Sequence, residues 1–257
     1  MNRIDQAFES GNDILNVYFT AGYPSLDDTV RIAQSLEAAG ADMIEIGIPF
    51  SDPVADGPTI QESSTKALKN GMNLKLLLEQ LKDLRESVSI PVLLMGYINP
   101  ILQYGFEKFC EDCESVGVDG LILPDLPLYE YEELYQDVLR KHGLYNIFLI
   151  SPQTLTDRIR KIDELSSGFV YMVSSSSITG AKGEISDEQI KYFNRINDMG
   201  LVNKRLIGFG ISNKETFNQA CEYADGAIIG SAFIKLLSED PSDANIRKFI
   251  QDIKGKP

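Results

Sequence analysis

The stretch from Met43 to Pro58 reads MIEIGIPFSDPVADGP and joins an apolar run to an acidic loop. Its first part, Met43 to Ile48, predicts a short β-strand, because these residues are mostly β-formers and Pro49, which has no backbone N–H, ends the run. Side chains alternate between the two faces of a strand, so Glu45 faces away from the neighbouring isoleucines. Glu45 is the only charged group in this run, and a buried carboxylate is costly unless it is paired, protonated or used in chemistry.

The loop after this strand, residues 50–58, holds two more acids, Asp52 and Asp56, among prolines and glycines. A rigid strand with a buried acid, followed by an acidic loop, is a common arrangement for acid–base sites. A structural interpretation stays open at this point. A buried Glu can pair with a buried Lys or Arg, and Asp-Pro and Asp-Gly are ordinary turn sequences.

Composition and charge exclude several classes of function. The 257 residues are 43% hydrophobic and 24% charged, which is ordinary for a globular protein of one α/β barrel or two small domains. The formal net charge of −14 argues against nucleic acid and against an anionic membrane surface, since both are bound through Lys and Arg. Small anionic ligands remain open, because backbone N–H groups can bind them.

The N-terminus and the cysteines predict a cytoplasmic protein. Residues 1–11 are polar and charged, without an apolar signal core, and no run reaches the length of a membrane span. Three cysteines are an odd and low count, which favours reduced thiols. Cys110 and Cys113 have no second pair nearby, and the chain has a single His, so we expect no metal site.

Eight short apolar strands alternate with helices along the chain. Apolar strands without alternation are typical of a parallel sheet covered by helices. Eight such units in this length predict a single-domain (β/α)8 TIM barrel over residues 1–257, with extra short helices; an open doubly wound sheet is the alternative. The predicted strands cover residues 14–20, 43–48, 92–97, 120–123, 146–150, 169–173, 205–209 and 226–229.

In such a barrel the active site lies at the carboxyl ends of the strands. Glu45 points into the pocket if it faces the barrel interior, and Asp56 lies just beyond. The same alternation makes Tyr171 of the sixth strand a second pocket candidate, although a tyrosine of the core is the more common case. No Lys lies inside a predicted strand, which disfavours a Schiff-base aldolase, and Ser174–Ser177 shows no nucleophile elbow. Acid–base work by carboxylates is the chemistry that remains.

Three later loops are rich in glycine and predict a phosphate site. The sixth loop contains ITGA at residues 178–181, the seventh strand runs into GFGIS at residues 208–212, and the eighth ends at Gly230-Ser231 before a short helix. Glycines let the backbone approach an anion, and a helix N-terminus supplies donors. Barrels commonly bind phosphate after strands seven and eight, although glycine at a strand end is also ordinary turn punctuation.

The run from Glu45 to Pro58 resembles the signature of the tryptophan synthase α-subunit family. Thr179-Gly180, the stretch at residues 208–212 and Gly230-Ser231 also match in order, so the resemblance covers essentially the whole chain. It implies a carbon–carbon lyase that cleaves indole-3-glycerol phosphate to indole and glyceraldehyde 3-phosphate. It further implies no cofactor in this chain, and a β-subunit partner in an α2β2 complex, which uses pyridoxal phosphate and receives the indole.

The resemblance also assigns roles by position. Glu45 and Asp56 correspond to the catalytic pair, and Asp52 and Pro49 to the partner interface. One departure is that many members carry Arg after the first serine of the sixth loop, where this chain has Ser174–Ser177. The substrate-binding positions are Tyr18, Ile60, Tyr97, Tyr171, Thr179 and Phe209, and the phosphate-binding positions are Gly180, Gly208, Gly210, Gly230 and Ser231.

Two other interpretations remain. An indole-glycerol-phosphate synthase would also be a phosphate-binding barrel, but its chemistry depends on a strand lysine, and no Lys lies inside a predicted strand. A degenerate barrel could bind a phosphorylated ligand only as a regulatory or scaffold subunit, and the presence of both Glu45 and Asp56 argues against it.

Overall fold

The computed structural model describes residues 1–10, 13–174, 186–208 and 210–255. The strands of this part of the chain form one parallel sheet, in the order β5-β4-β3-β2-β1-β9-β8-β7-β6. They are β1 (Ile14–Thr20), β2 (Met43–Gly47), β3 (Val92–Met95), β4 (Gly120–Ile122), β5 (Tyr145–Ile147), β6 (Leu149–Ile150), β7 (Phe169–Val173), β8 (Lys204–Gly208) and β9 (Gly226–Ile229).

The two edges of this sheet belong to one stretch of chain. β5 and β6 lie at opposite ends of the strand order, yet only Phe148 separates them in sequence. The Phe148 carbonyl accepts a hydrogen bond from the backbone N–H of Tyr171 on β7 at 2.9 Å. The sheet therefore curls round until its edges meet, which confirms the barrel and excludes the open doubly wound sheet. The predicted fifth strand is the one that splits into these two edges.

Helices follow the strands around the outside, and no described helix has both the length and the apolar character to cross a membrane. A 3-10 turn lies at Leu84–Glu86 and a π turn at Tyr131–Tyr135. The helices are α1 (Arg3–Ser10), α2 (Asp28–Ala39), α3 (Pro58–Lys69), α4 (Leu74–Gln80), α5 (Ile98–Tyr104), α6 (Phe106–Ser115), α7 (Leu128–Glu130), α8 (Gln136–Lys141), α9 (Thr156–Leu165), α10 (Asp187–Asp198), α11 (Lys214–Cys221), α12 (Ser231–Glu239) and α13 (Asp243–Lys254).

The apolar residues form two layers. One fills the barrel interior and includes Met43, Leu93 and Phe169, and the other lies between the sheet and the helices and includes Ile44 and Ile46. This division confirms the alternation predicted for β2. Helix α1 closes the amino end of the barrel, and its Ile4 joins the inner layer. The space for chemistry is therefore left at the carboxyl end.

A buried ion cluster holds α1 and the amino end of the barrel together. Asp119, 3% exposed, accepts hydrogen bonds from Arg3 Nη1 at 2.9 Å, from Arg85 Nη2 at 2.5 Å and from the Val92 N–H at 2.8 Å. Removing the carboxylate leaves the Arg85 charge half-buried without its partner. We expect Asp119→Ala to lower the free energy of unfolding by about 3 kcal/mol in urea titrations.

The control is Glu79→Ala, which breaks an exposed pair with Lys82. It should leave the free energy of unfolding close to that of the wild type, because an exposed ion pair is screened by solvent. Equal effects of the two variants would show that the Asp119 cluster adds nothing beyond a surface ion pair.

Candidate active site

Glu45 lies in the middle of β2 and is 1% exposed. In the parallel register it stands between Tyr18 on β1 and Leu93 on β3. Asn16 Nδ2 donates a hydrogen bond to Glu45 Oε2 at 3.0 Å. No described Lys or Arg forms a salt bridge with Glu45, so the structural alternative of a buried ion pair has no support in the described part of the chain.

The protonation of Glu45 follows from this environment. The pKa of Glu45 is raised from 4.5 to about 8 in total: burial is the largest cause, the Asn16 hydrogen bond opposes it, and the charge of Asp56 adds to it. The carboxyl therefore holds its proton at neutral pH and can act as an acid there. A carboxyl with a pKa near the working pH can also take the proton back.

The raised pKa of Glu45 also makes stability depend on pH. Below about pH 4.5 the group is protonated in the folded and the unfolded chain; between there and about pH 8 only the folded chain keeps the proton, so the free energy of unfolding falls as pH rises. Glu45→Gln does not titrate. The difference in free energy of unfolding between Glu45→Gln and the wild type should shift in favour of the variant by at least about 1.4 kcal/mol from pH 5 to pH 9. This shift is the equivalent of one pKa unit. Urea unfolding at both pH values tests this, and a constant difference would contradict a raised pKa.

Asp56 is held by a tyrosine from a different strand end. Tyr97, which follows β3, donates its hydroxyl hydrogen to Asp56 Oδ2 at 2.9 Å and accepts the Ala55 N–H at 2.9 Å. Burial raises the pKa of Asp56, and the Tyr97 hydrogen bond lowers it. The Asp56 carboxylate thus has a fixed orientation although it sits on a loop.

A pocket opens at this end of the barrel. Asp56 lines it, whereas Glu45 is not a lining residue but stands opposite the lining residue Tyr18 in the register of β1 and β2. Of the predicted site residues, Tyr18, Asp56 and Tyr97 line the pocket, whereas Ile60 is buried on α3. Sequence reasoning missed most of the apolar lining. Phe50 was within the signature run, and its ring centroid lies 5.2 Å from that of Tyr97. The lining residues that were not predicted are Ile48, Phe50, Ser64, Met95, Gly96 and Pro124.

Two tyrosines approach the glycines of neighbouring strands. A Cβ atom on Gly47 would lie 2.1 Å from Tyr18 Oη, and one on Gly208 would lie 2.3 Å from Tyr171 Oη. The close approach of Tyr171 therefore explains a glycine at position 208 without a bound anion. Burial and the charges of Glu45 and Asp56 raise the pKa of Tyr171 well above its usual value. Tyr171 lies in the inner apolar layer with Phe169, as the strand alternation predicts, but it is not among the residues that line the described pocket.

The N-terminus of α12 lies against Tyr18, although neither Gly230 nor Ser231 is among the residues that line the described pocket. Gly230 is its N-cap and supplies no side chain to the free N–H groups of the first turn, and Ser231 is exposed. A Cβ atom on Gly230 would lie 3.4 Å from Tyr18, which lines the pocket. By contrast, Asn213 and Thr216 close the N-terminus of α11 with a capping box.

The remaining predicted positions lie away from the described pocket lining or outside the described residues. Gly210 adopts a φ of +82°, which favours glycine. Asp52 is exposed, whereas Pro49 is buried. Thr179, Gly180 and Phe209 lie outside the described residues.

One lysine does lie in a strand, contrary to the prediction. Lys204 is the first residue of β8, one position before the predicted start. It is exposed and pairs with Asp225 at 2.9 Å. It therefore sits at the amino end of the strand, and the pocket lining that the structure describes contains no lysine.

Comparison with known proteins gives a consistent result. The family model described as tryptophan synthase alpha chain matches residues 5–254. A tryptophan synthase alpha chain of Flavobacterium psychrophilum is 59% identical over 253 residues, which cover 98% of this chain and 100% of that relative. The crystal structure of tryptophan synthase subunit alpha from Legionella pneumophila superimposes with a TM-score of 0.88 at 34% identity, covering 98% of this chain and 97% of the other.

A structure of an assembly is similar as well. A chain in the X-ray structure of a tryptophan synthase complex from Pyrococcus furiosus matches with a TM-score of 0.87 at 35% identity, covering 95% of this chain and 99% of that one.

Proposed function

The chain belongs to the tryptophan synthase α-chain family, whose members cleave indole-3-glycerol phosphate, and we propose that Glu45 and Asp56 carry out that cleavage here. The observation that carries the proposal is the buried Glu45 carboxyl, without a described cation beside it, next to a pocket that Asp56 lines. The proposed reaction is a retro-aldol cleavage that releases indole and glyceraldehyde 3-phosphate.

Glu45 moves two protons. As the acid it gives its proton to C3 of the indole ring, forming a C–H bond. As the carboxylate it then removes the proton from the side-chain hydroxyl next to the bond that breaks. The O–H electrons form the new carbonyl, the C–C electrons return to the ring, and Glu45 is protonated again. A pKa raised to about 8 suits a group that must start with its proton.

Asp56 stabilises the charge that this proton transfer creates. Protonation at C3 leaves a positive indolenine, and an ionised Asp56 accepts a hydrogen bond from the ring N–H and compensates the charge. The Tyr97 hydrogen bond holds Asp56 for this task. We also propose that Thr179, which lies outside the described residues, hydrogen-bonds Asp56 in the complex with the substrate.

The phosphate anchors the other end of the substrate and so orients the reacting bond. We propose that the N-terminus of α12, with Gly230 and Ser231, binds it together with Gly180, Gly208 and Gly210. Support comes from the uncapped first turn of α12 and from its place beside Tyr18. Tyr171, Phe209 and Ile60 are proposed to complete the surface around the indole ring.

The test of this function is the release of indole from indole-3-glycerol phosphate by the purified chain, alone and with its β partner. Turnover supports an α-chain lyase. Binding of the phosphate without any turnover, even with the partner present, would favour a scaffold subunit. The synthase alternative would instead show closure of the indole ring from an open precursor, with no indole released.

The phosphate assignment can be tested at Gly230. Its φ of −121° suits any residue and a Cβ atom meets only ordinary contacts, so Gly230→Asp should fold. The carboxylate would face the substrate anion, and we expect calorimetry to show binding of glycerol phosphate weakened by at least about tenfold.

Gly230→Ala is the matched control, since it adds the Cβ atom without the charge. It should bind glycerol phosphate within about threefold of wild type. If Gly230→Asp binds equally well, the phosphate lies elsewhere.

A β-chain partner follows from the family, and we propose that it docks over the loop at residues 50–58 in an α2β2 assembly. Asp52 is exposed there, and the neighbouring Val54 shows an apolar side chain that is 84% exposed. Pro49 is proposed to support this surface from beneath. The pyridoxal phosphate that consumes the indole belongs to the β chain, and this chain needs no cofactor of its own.

Three free cysteines support a reducing, cytoplasmic setting.

A further inference from the structure

Asn16 on β1 is the hydrogen-bond donor that the structure shows for the Glu45 carboxyl. Its side chain is fully buried, and its Nδ2 atom lies 3.0 Å from Glu45 Oε2. In the parallel pairing of β1 and β2, Asn16 stands opposite Met43. The Asn16 amide therefore contacts a carboxyl on the neighbouring strand, at the inner-facing position of β2 two residues after Met43.

The other end of the Asn16 amide is unsatisfied. Its Oδ1 atom is buried and accepts no hydrogen bond from any described residue. Such an acceptor is costly, and an apolar side chain of the same size would avoid the cost. The position therefore calls for a reason other than packing.

The proton transfer proposed for the Glu45 carboxyl explains why an amide is present at position 16. An ionised carboxylate needs a donor, whereas a protonated carboxyl has an O–H that needs an acceptor. The amide of Asn16 offers one of each, and a half-turn about its Cβ–Cγ bond exchanges them at the same distance from Glu45. Building on the proposed role of Glu45, we propose that Asn16 is a positioning residue that pairs with both forms of this carboxyl, donating from Nδ2 to the ionised form and accepting at Oδ1 from the protonated form.

The other groups around Glu45 do not duplicate this role. The titratable groups that face it are Asp56 from the loop after β2, Tyr18 from β1 and Tyr171 from β7, while β3 presents Leu93. Burial raises the pKa of both tyrosines, so they keep their protons while Glu45 titrates. An ionised Asp56 has no donor to offer. The titration of Glu45 can therefore be measured without a simultaneous titration of these tyrosines.

The experiment measures kcat and the pH dependence of kcat/KM for indole release by the full chain with its β partner. Because Glu45 must start protonated, kcat/KM falls as pH rises through the pKa of this group. Asn16→Leu keeps the volume and removes both hydrogen-bonding atoms. The bond to the charged form is the stronger one, so the alkaline midpoint should rise by about one pH unit. With the carboxyl no longer oriented, kcat should fall about tenfold.

A second variant and a matched control accompany it. Asn16→Asp keeps the shape and places two carboxyls 3.0 Å apart, which then share a proton, so the alkaline midpoint should rise further. Asn146→Leu is the control. Asn146 is 2% exposed, and its Oδ1 is also buried without a described partner, but it lies opposite Leu121, which belongs to the outer layer. Its replacement should leave the midpoint unchanged.

A double-mutant cycle separates positioning from structure. If Asn16 acts through Glu45, Asn16→Leu should change kcat by less than about twofold in the Glu45→Gln background. An unmoved midpoint in both Asn16 variants, or the same loss in both backgrounds, would overturn the inference. Normal turnover by Glu45→Gln alone would instead overturn the proposed function, so the two failures are distinguishable.

Discussion

Replacing Glu45 with Gln should lower kcat for indole-3-glycerol phosphate by at least about 10²-fold, the usual scale for general acid–base catalysis. Gln keeps the size of the side chain and can accept the hydrogen bond from Asn16, but it cannot carry a proton. Because the binding surfaces are unchanged, the affinity for glycerol phosphate should stay as in the wild type. Steady-state indole release and calorimetry measure the two quantities.

Glu62→Gln is the control for Glu45→Gln, because Glu62 is an exposed acid on α3. It should turn over like the wild type. Turnover of Glu45→Gln within about threefold of wild type, in a folded protein, would remove Glu45 from proton transfer.

Asp56→Asn should also lose at least about 10²-fold in kcat, since the ring charge that develops in the transition state loses its partner. Asn can still accept the hydrogen bond from Tyr97, so the loop should keep its place. The residue lies on a loop, and the free energy of unfolding should change by less than about 1 kcal/mol. Glycerol phosphate should bind normally.

Asp83→Asn makes the same change of charge at an exposed position outside the pocket and should leave kcat unchanged. A sharp loss of stability in Asp56→Asn, with unchanged turnover per folded molecule, would make Asp56 a structural residue. Tyr97→Phe adds an intermediate test: it leaves the charge of Asp56 but frees its orientation, and we expect about a tenfold loss.

Most of the fold prediction rested on the pattern of apolar residues along the predicted strands. The apolar runs predicted the strands, and alternation along β2 placed Glu45 on the face opposite its neighbouring isoleucines. The structure decides that this face, with Met43, lies inside the barrel. The ends of elements were less accurate. The third strand was predicted to continue to residue 97, but β3 ends at Met95 and α5 begins at Ile98, whose N–H donates to Asp125 of another loop at 3.0 Å. A cap supplied from elsewhere leaves no signal in the helix's own sequence.

Local patterns along the chain indicate that β2 carries an acid on the face opposite its isoleucines, which loops carry glycine, and which family the chain resembles, because these features depend on residues a few positions apart. The state of the site depends instead on how distant strands pack together. The Asn16–Glu45 and Tyr97–Asp56 hydrogen bonds join residues 29 and 41 positions apart. The pKa of Glu45 rises because the strands around it exclude water. Such contacts exist only once the sheet has closed at Phe148, and no local pattern of residues encodes them.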